Sequence, residues 1–231
     1  LLTPPALHEM KARELPYAEY LKYGGFPGVV IVESTEAKEQ MLRNIFSSFF
    51  EKDLQILSDY TDVRELRDLI LLLVPRVGSL LDVTKLASEL GVDRPKVYSY
   101  LEFLQGVFFL RLLPRFSRSI DRSVAGGRKV YFVDTGLLQT IGNVNDAQLF
   151  ENAVVNQLSA YGTVSFYNKR NTAEIDAILD KEIAFEIKLR ATRSDAERLA
   201  ALAHTLGIQT HRLISRDFTE QSECLFGSGI L

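Results

Sequence analysis

Cysteine is almost missing from this chain: Cys224 stands alone among 231 residues. A single thiol excludes an internal disulfide framework and any multi-cysteine zinc site, and it makes a reducing cytoplasm the expected compartment. Long apolar runs are missing too. The longest, such as Leu69 to Pro75 and Val107 to Leu110, fall far short of the ~20 residues that span a bilayer, so no membrane partner is expected. No segment near the start has the basic, apolar, small-residue order of a signal peptide. The first residue is Leu1 rather than Met, which points to a processed chain or a piece of a longer protein. Neither H-E-x-x-H nor G-x-S-x-G occurs, and Cys224 has no evident base partner. The scattered His8, His204 and His211 read as structural or surface residues. A P-loop is absent as well: Gly126-Gly127-Arg128-Lys129 lacks both the frame and the Ser/Thr of G-x-x-x-x-G-K-[ST], so no ATP binding of that kind is expected.

What is present suits a soluble globular chain, with 46% hydrophobic and 25% charged residues. The formal net charge of −3 exerts no global pull on nucleic acid. Charge is local instead. Between Asp93 and Val130 eight basic residues (Arg94, Lys96, Arg111, Arg115, Arg118, Arg122, Arg128 and Lys129) face three acidic ones (Asp93, Glu102 and Asp121), a balance of 8 − 3 = +5. A basic stretch in an acidic chain predicts a phosphate-facing surface, and DNA is the expected partner.

Residues 1–33 are rich in turn formers, with Pro4-Pro5 and the run Tyr23-Gly24-Gly25-Phe26-Pro27. Ser34 and Thr35 then cap a predicted helix over 36–57, whose apolar Met41, Leu42, Ile45, Phe46, Phe49 and Phe50 recur at spacings of three and four. That stripe reads as core or subunit packing and leaves a homo-oligomer open. Three further helices are predicted, at 63–74, at 82–90 with Gly91 as its C-terminal cap, and at 93–105. The short turn between the last two is a helix-turn-helix signature. Two β-rich runs follow, 107–113 and 129–133, completing the pattern of a winged helix. On that reading Lys96, Tyr98 and Ser99 face a DNA groove, and Arg118, Arg122 and Arg170 are further phosphate contacts. Winged helices also bind proteins, so the fold alone does not choose. Asp134, before Thr135-Gly136, is expected to shape a turn or cap the next helix.

Downstream, a helix is expected at 147–160, strands at 163–168, 173–179 and 183–189, a helix at 195–206 and a last strand at 211–214, an α/β pattern. The expected architecture is an α+β or α/β multidomain chain with an N-terminal loop and helix over 1–61, a winged helix-turn-helix over 62–135 and a domain with a mixed sheet over 136–231.

The segment 174–189 alternates cleanly. Ile175, Ala177, Leu179, Ile183, Phe185, Ile187 and Leu189 take the odd positions, and Glu174, Asp176, Ile178, Ala184, Glu186 and Lys188 take the even ones. Period two sends the odd set into a core and the even set to the opposite face. Both strands bury their odd residues only if paired positions sum to an even number, which predicts the odd loop Asp180-Lys181-Glu182, with Asp176 opposite Glu186 and Glu174 opposite Lys188. Facing carboxylates repel. A divalent cation such as Mg²⁺ (or Mn²⁺) reverses that penalty, and Lys188 then stands ready to orient a water or steady developing charge. The bland alternative is a solvated charged face. Glu151 falls on the edge of its helix's apolar arc, near Leu158, Val154 and Val155 and away from Asn152, Asn156 and Ser159. A carboxylate so placed calls for a partner or a metal, though it also suits the start of a helix.

The ordered set Glu151, Asp176 and Glu186-Ile187-Lys188 resembles the PD-(D/E)XK nuclease superfamily. The resemblance implies a restriction-endonuclease-like fold in which Glu151, Asp176 and Glu186 hold metal and Asp176, Glu186 and Lys188 act in phosphodiester hydrolysis. A second resemblance spans nearly the whole chain. Tyr20-Leu21, Tyr23-Gly24-Gly25-Phe26-Pro27, Lys52-Asp53, Tyr100-Leu101 with Leu104, Lys129-Val130-Tyr131-Phe132, Asp134-Thr135-Gly136, and Phe150-Glu151-Asn152 with Val154 are similar, in that order, to the C-terminal region of prokaryotic AAA-type ATPases. It implies an ATPase module upstream of Leu1, which is where ATP would bind. The expected function is a DNA-associated part of such an ATPase with a candidate Mg²⁺-dependent DNA endonuclease site; the alternative is a non-catalytic DNA- or protein-binding module that targets or assembles the ATPase.

Overall fold

A computed structural model describes residues 17–52, 60–119, 127–169, 173–217 and 224–229, which form a mixed α and β chain divided into two units. Among the described residues the first unit takes in those up to Arg111 and Val130–Val144, and the second takes in Leu112–Lys129 and those from Asn145 onward. No described helix is long and apolar enough to cross a membrane.

The first unit begins with two short helices, α1 (Tyr17–Tyr23) and α2 (Pro27–Val30), inside the stretch expected to be loop. Helices this short are marginal on their own and depend on tertiary partners. The long helix α3 (Thr35–Lys52) follows, with the Ser34 hydroxyl accepting from the Ala37 N–H; positions 53–57 of the expected helix lie outside the described residues. Helix α4 (Tyr60–Leu73) runs into a 3₁₀ turn (Val74–Arg76) that contains Pro75. Helices α5 (Val83–Leu90) and α6 (Arg94–Gly106) are capped by Asp82 and Asp93, whose side chains accept from the Lys85 and Lys96 N–H groups. Leu66, Leu69, Ile70 and Leu73 of α4 are buried, as are Leu86 of α5 and Val97, Leu101 and Leu104 of α6. Strands β1 (Leu110–Pro114) and β2 (Arg128–Phe132) pair as a two-stranded sheet, and the division between the units falls within both. Phe109 stacks on Phe49 of α3 with ring centroids 4.7 Å apart and meets Phe132 edge-on at 5.9 Å.

Two distant motifs meet around α7 (Thr135–Ile141). Asp134 caps this helix: its Oδ1 accepts from the Leu137 N–H at 2.9 Å, and its Oδ2 accepts from the Gly25 N–H at 2.8 Å. The Thr135 hydroxyl donates to the Tyr20 carbonyl at 2.8 Å. Gly24 adopts a left-handed φ of 75°, and a Cβ there would lie 2.2 Å from Asp134 Oδ1. A Cβ on Gly136 would lie 2.2 Å from the Tyr23 carbonyl oxygen. Both glycines are therefore required by close approach.

The second unit contains α8 (Asp146–Leu158), β3 (Val164–Lys169), β4 (Ala173–Leu179), β5 (Ile183–Lys188), α9 (Arg193–Leu206), β6 (Thr210–Ser215) and β7 (Cys224–Phe226). The strands form one mixed sheet in the order β3-β4-β5-β6-β7, antiparallel from β3 to β5 and parallel from β5 to β7. Asn145 and Thr192 start α8 and α9 with full capping boxes. The β4–β5 register pairs Ala177 with Phe185, Ile178 with Ala184 and Leu179 with Ile183, as parity predicts. Asp180 and Lys181 turn the chain with φ of 49° and 65°.

One expectation is corrected. The even face of the hairpin is not a solvated charged face: Asp176, Ile178, Ala184 and Glu186 are all buried. Ile178 and Ala184 share an apolar cluster with Leu199 and Ala203 of α9 and Leu213 of β6, so α9 covers this face; Ile175, expected on the opposite face, joins the same cluster because a β-bulge interrupts the β3–β4 register between Ile178 and Ile175. A strand with a parallel neighbour is commonly covered on both sides. Helix α8 is likewise buried nearly all round. Asn152, expected to point outward, has no exposed surface.

Burial pushes the Asp134 carboxyl up to about 6, against backbone N–H donors from Gly25, Leu137 and Gly136 that pull it down. Its folded pKa thus lies above the unfolded value, so the folded state binds the proton more tightly. Stability from this group is fully present below about pH 4 and is lost as pH rises toward about 6, a change on the order of 3 kcal/mol. Asp134→Asn should flatten that limb of the urea midpoint measured from pH 4 to 7. Gly136→Ala should lower the midpoint at every pH, by about 1–3 kcal/mol or more, through the clash with Tyr23.

Candidate functional site

The acidic face of the β4–β5 hairpin is organised by short polar contacts. Asp176 Oδ2 accepts from the Ile187 N–H at 2.8 Å, a side-chain bond that continues the hairpin beyond its last paired residues. Lys188 Nζ lies 2.9 Å from Glu186 Oε1 and 3.8 Å from Asp176 Oδ2. Arg198, on α9, donates to the same Glu186 oxygen and lies 3.2 Å from Asp195. The other oxygen, Glu186 Oε2, is buried and has no hydrogen-bond partner among the described residues.

Electrostatics follow from this crowding. Burial, then the neighbouring Asp176 charge, holds the Glu186 carboxyl above its ordinary value, while Lys188 and Arg198 oppose the rise. For Lys188 burial favours the neutral amine, but the Asp176 and Glu186 carboxylates outweigh it and keep the ammonium above its ordinary value. Asp176, Glu186 and Asp195 share two cations, Lys188 and Arg198, so the group keeps a negative excess. The outer parts of Lys188 and Arg198 remain accessible, with 36% and 51% of their side chains exposed.

Glu151 is placed differently from the expected metal triad. Its Oε1 lies 3.5 Å from the ammonium of Lys129, which also pairs with Glu174 at 2.6 Å. Glu174, expected opposite Lys188, makes its ion pair with Lys129 instead. Among the described residues no group of three or more His, Cys, Asp and Glu side chains is arranged to hold a metal ion. Asp176, Glu186 and Lys188 therefore come together, and Glu151 does not join them. The smaller set still fits a hard cation. Mg²⁺ is commonly held by only one or two carboxylates plus water and substrate, and Glu186 presents a carboxylate oxygen with no described partner.

Two residues were missed. Arg198 sits one position before Leu199, a residue of the core-facing stripe, so its reach to Glu186 depends on how α9 packs. Lys129 lies in a strand that otherwise reads as apolar from Val130 to Phe132; a lysine entering such a run was the available signal.

The proposed groove contacts are mostly occupied within the fold. Lys96 pairs with Asp62 at 2.9 Å and Glu65 at 2.6 Å, carboxylates that also accept from the Tyr100 hydroxyl. The Ser99 hydroxyl donates to the Pro95 carbonyl. Arg118 donates to the Leu206 and Gly207 carbonyls at the end of α9. Tyr98 is exposed. Arg122 and Arg170 lie outside the described residues.

Comparison with known proteins adds relatives without a described activity. An uncharacterized protein of Haemophilus influenzae is 29% identical over 90% of this chain, which covers 54% of that protein. One of Methanocaldococcus jannaschii is 26% identical over 73% of the chain and 40% of its own length, and one of Mycobacterium tuberculosis is 25% identical over 74% and 42%. The chain thus spans about half or less of these relatives. No solved structure matches it. Residues 147–222 match a domain of unknown function (DUF4143), one often found in C-terminal regions of AAA-ATPase-like proteins. Matched over residues 15–148, more than half its length, the chain belongs to the family described as domain of unknown function (DUF8612).

Proposed function

We propose that this chain is the DNA-associated C-terminal part of an AAA-type ATPase and that its second unit hydrolyses phosphodiesters with Mg²⁺ or Mn²⁺. In this reading α4 to α6 with β1 and β2 form a winged helix-turn-helix, and α8, α9 and the five-stranded sheet form a PD-(D/E)XK nuclease-like domain. The observation that carries it is the Glu186 carboxylate, buried with one oxygen lacking a described partner, beside Asp176 and 2.9 Å from Lys188. Leaving a buried carboxylate oxygen unmet is costly unless a further ligand meets it.

Asp176 and Glu186 would hold the cation, which would supply Lewis-acid polarisation of a phosphoryl oxygen. The chain's own residues do the rest. The Ile187 N–H fixes the Asp176 carboxylate. Lys188, partly exposed, orients a water or stabilises charge on the phosphorus oxygens. Arg198, half exposed, is a second cation for a phosphate to meet.

A non-catalytic module is the second reading, in which the two units bind DNA or a partner protein and target or assemble the ATPase. It is favoured by the internal charge balance: Lys188 and Arg198 already neutralise Asp176 and Glu186, and Lys129 pairs with Glu151.

Plasmid, single-stranded and branched DNA incubated with the chain and Mg²⁺ or Mn²⁺ separate the two. The nuclease reading expects metal-dependent cleavage that falls roughly 10²-fold or more in Asp176→Ala and Lys188→Ala. Equal cleavage by all three proteins identifies a contaminant. Salt-sensitive DNA binding with no cleavage of any substrate leaves the non-catalytic module.

A further inference from the structure

Lys129 carries a charge into the interior of the second unit. Only 4% of its side chain is exposed, and its ammonium lies 5.6 Å from the centre of the Phe166 ring. A buried ammonium requires compensating anions. It has two, Glu174 Oε1 at 2.6 Å and Glu151 Oε1 at 3.5 Å, supplied by β4 and α8. Asp176 adds to the same field, and together these carboxylates outweigh a burial effect that favours the neutral amine.

The acidic side chains thus divide into two groups. Asp176 and Glu186 pair with partly exposed cations and keep one oxygen without a described partner. Glu151 and Glu174 converge on an ammonium that is closed off from water. Oxygen atoms converging on a buried positive charge form the kind of pocket that a hard divalent cation selects. Here the chain supplies the charge covalently.

We propose that Lys129 is a built-in cation, its ammonium filling a place between Glu151 and Glu174 that would otherwise accept a divalent ion, so that the hairpin holds at most one ion, at Asp176 and Glu186. The half concerning Asp176 and Glu186 rests on the nuclease reading; the half concerning Lys129 does not. Lys129 is accordingly a positioning residue: it fixes Glu151 and Glu174 and sets the number of ions.

The test is the stoichiometry of Mn²⁺ bound by the full chain, measured by calorimetry and by electron paramagnetic resonance of free Mn²⁺. Lys129→Met keeps the apolar stem of the side chain but removes the ammonium and its charge. The variant should bind one more Mn²⁺ per chain than the parent. Glu174→Gln added to it should abolish that extra ion, and Lys129→Arg should match the parent. A purely structural lysine would change stability without changing this count.

If Lys129→Met is too unstable for titration, its thermal midpoint is followed against Mn²⁺. A rise exceeding that of the parent supports the proposal, because an ion bound only by the folded state stabilises it. Equal stoichiometry in parent and Lys129→Met, or equal midpoint shifts, overturns it. A parent that binds no ion while Lys129→Met binds one defeats the nuclease reading and leaves the role of Lys129 standing.

Discussion

The first unit is held by a carboxylate shut away from water. Asp134 reaches two backbone N–H groups more than a hundred residues apart in sequence, at Gly25 and Leu137. Removing either donor would leave a buried acceptor unmet, so α1, α2 and α7 are fixed together rather than separately. The Thr135 bond to Tyr20 and the two glycine contacts follow from the same approach. Residues that look in sequence like separate turn motifs are one structure in space.

The second unit meets the same problem with paired charges. Its mixed sheet is buried on both sides of the central strands, yet Asp176 and Glu186 lie within it, and the buried Lys129 of β2 reaches Glu174 on its β4 strand. Ion pairs inside a fold contribute little net stability compared with apolar packing, but breaking one of their members is costly. That asymmetry suits a site: the geometry is held tightly while each charge keeps a partner of opposite sign. The two readings of function meet at the cations, since the same Lys188 and Arg198 that quiet the carboxylates are the groups a phosphate would meet.

Much of this was legible in the residues. Period two in 174–189 fixed the hairpin register, because a slip of one position would turn every side chain over. Asp82, Asp93, Asn145 and Thr192 mark helix starts through local bonds that need only neighbouring residues. What could not be read depends on distant packing. Coverage of the even face by α9 was hinted at only by Ile178 and Ala184, two apolar residues among the charges. The pairing of Lys129 with Glu174 joins strands remote in sequence, and the short helices rest on tertiary partners, α1 on α7 and α2 on α3. The brief β7 has too few residues for a periodic signal.

The turn at Asp180 and Lys181 has a consequence for how this chain can vary. Its two left-handed residues close a three-residue loop, and Asp180 also accepts from the Thr163 N–H at 2.8 Å while filling the space where a Gly162 side chain would stand. An inserted or deleted residue would therefore detach the turn from its anchor. The tip is thus set as much by its anchor at Thr163 as by its own three residues, and a change of length there acts first on the start of β3 rather than on the hairpin itself.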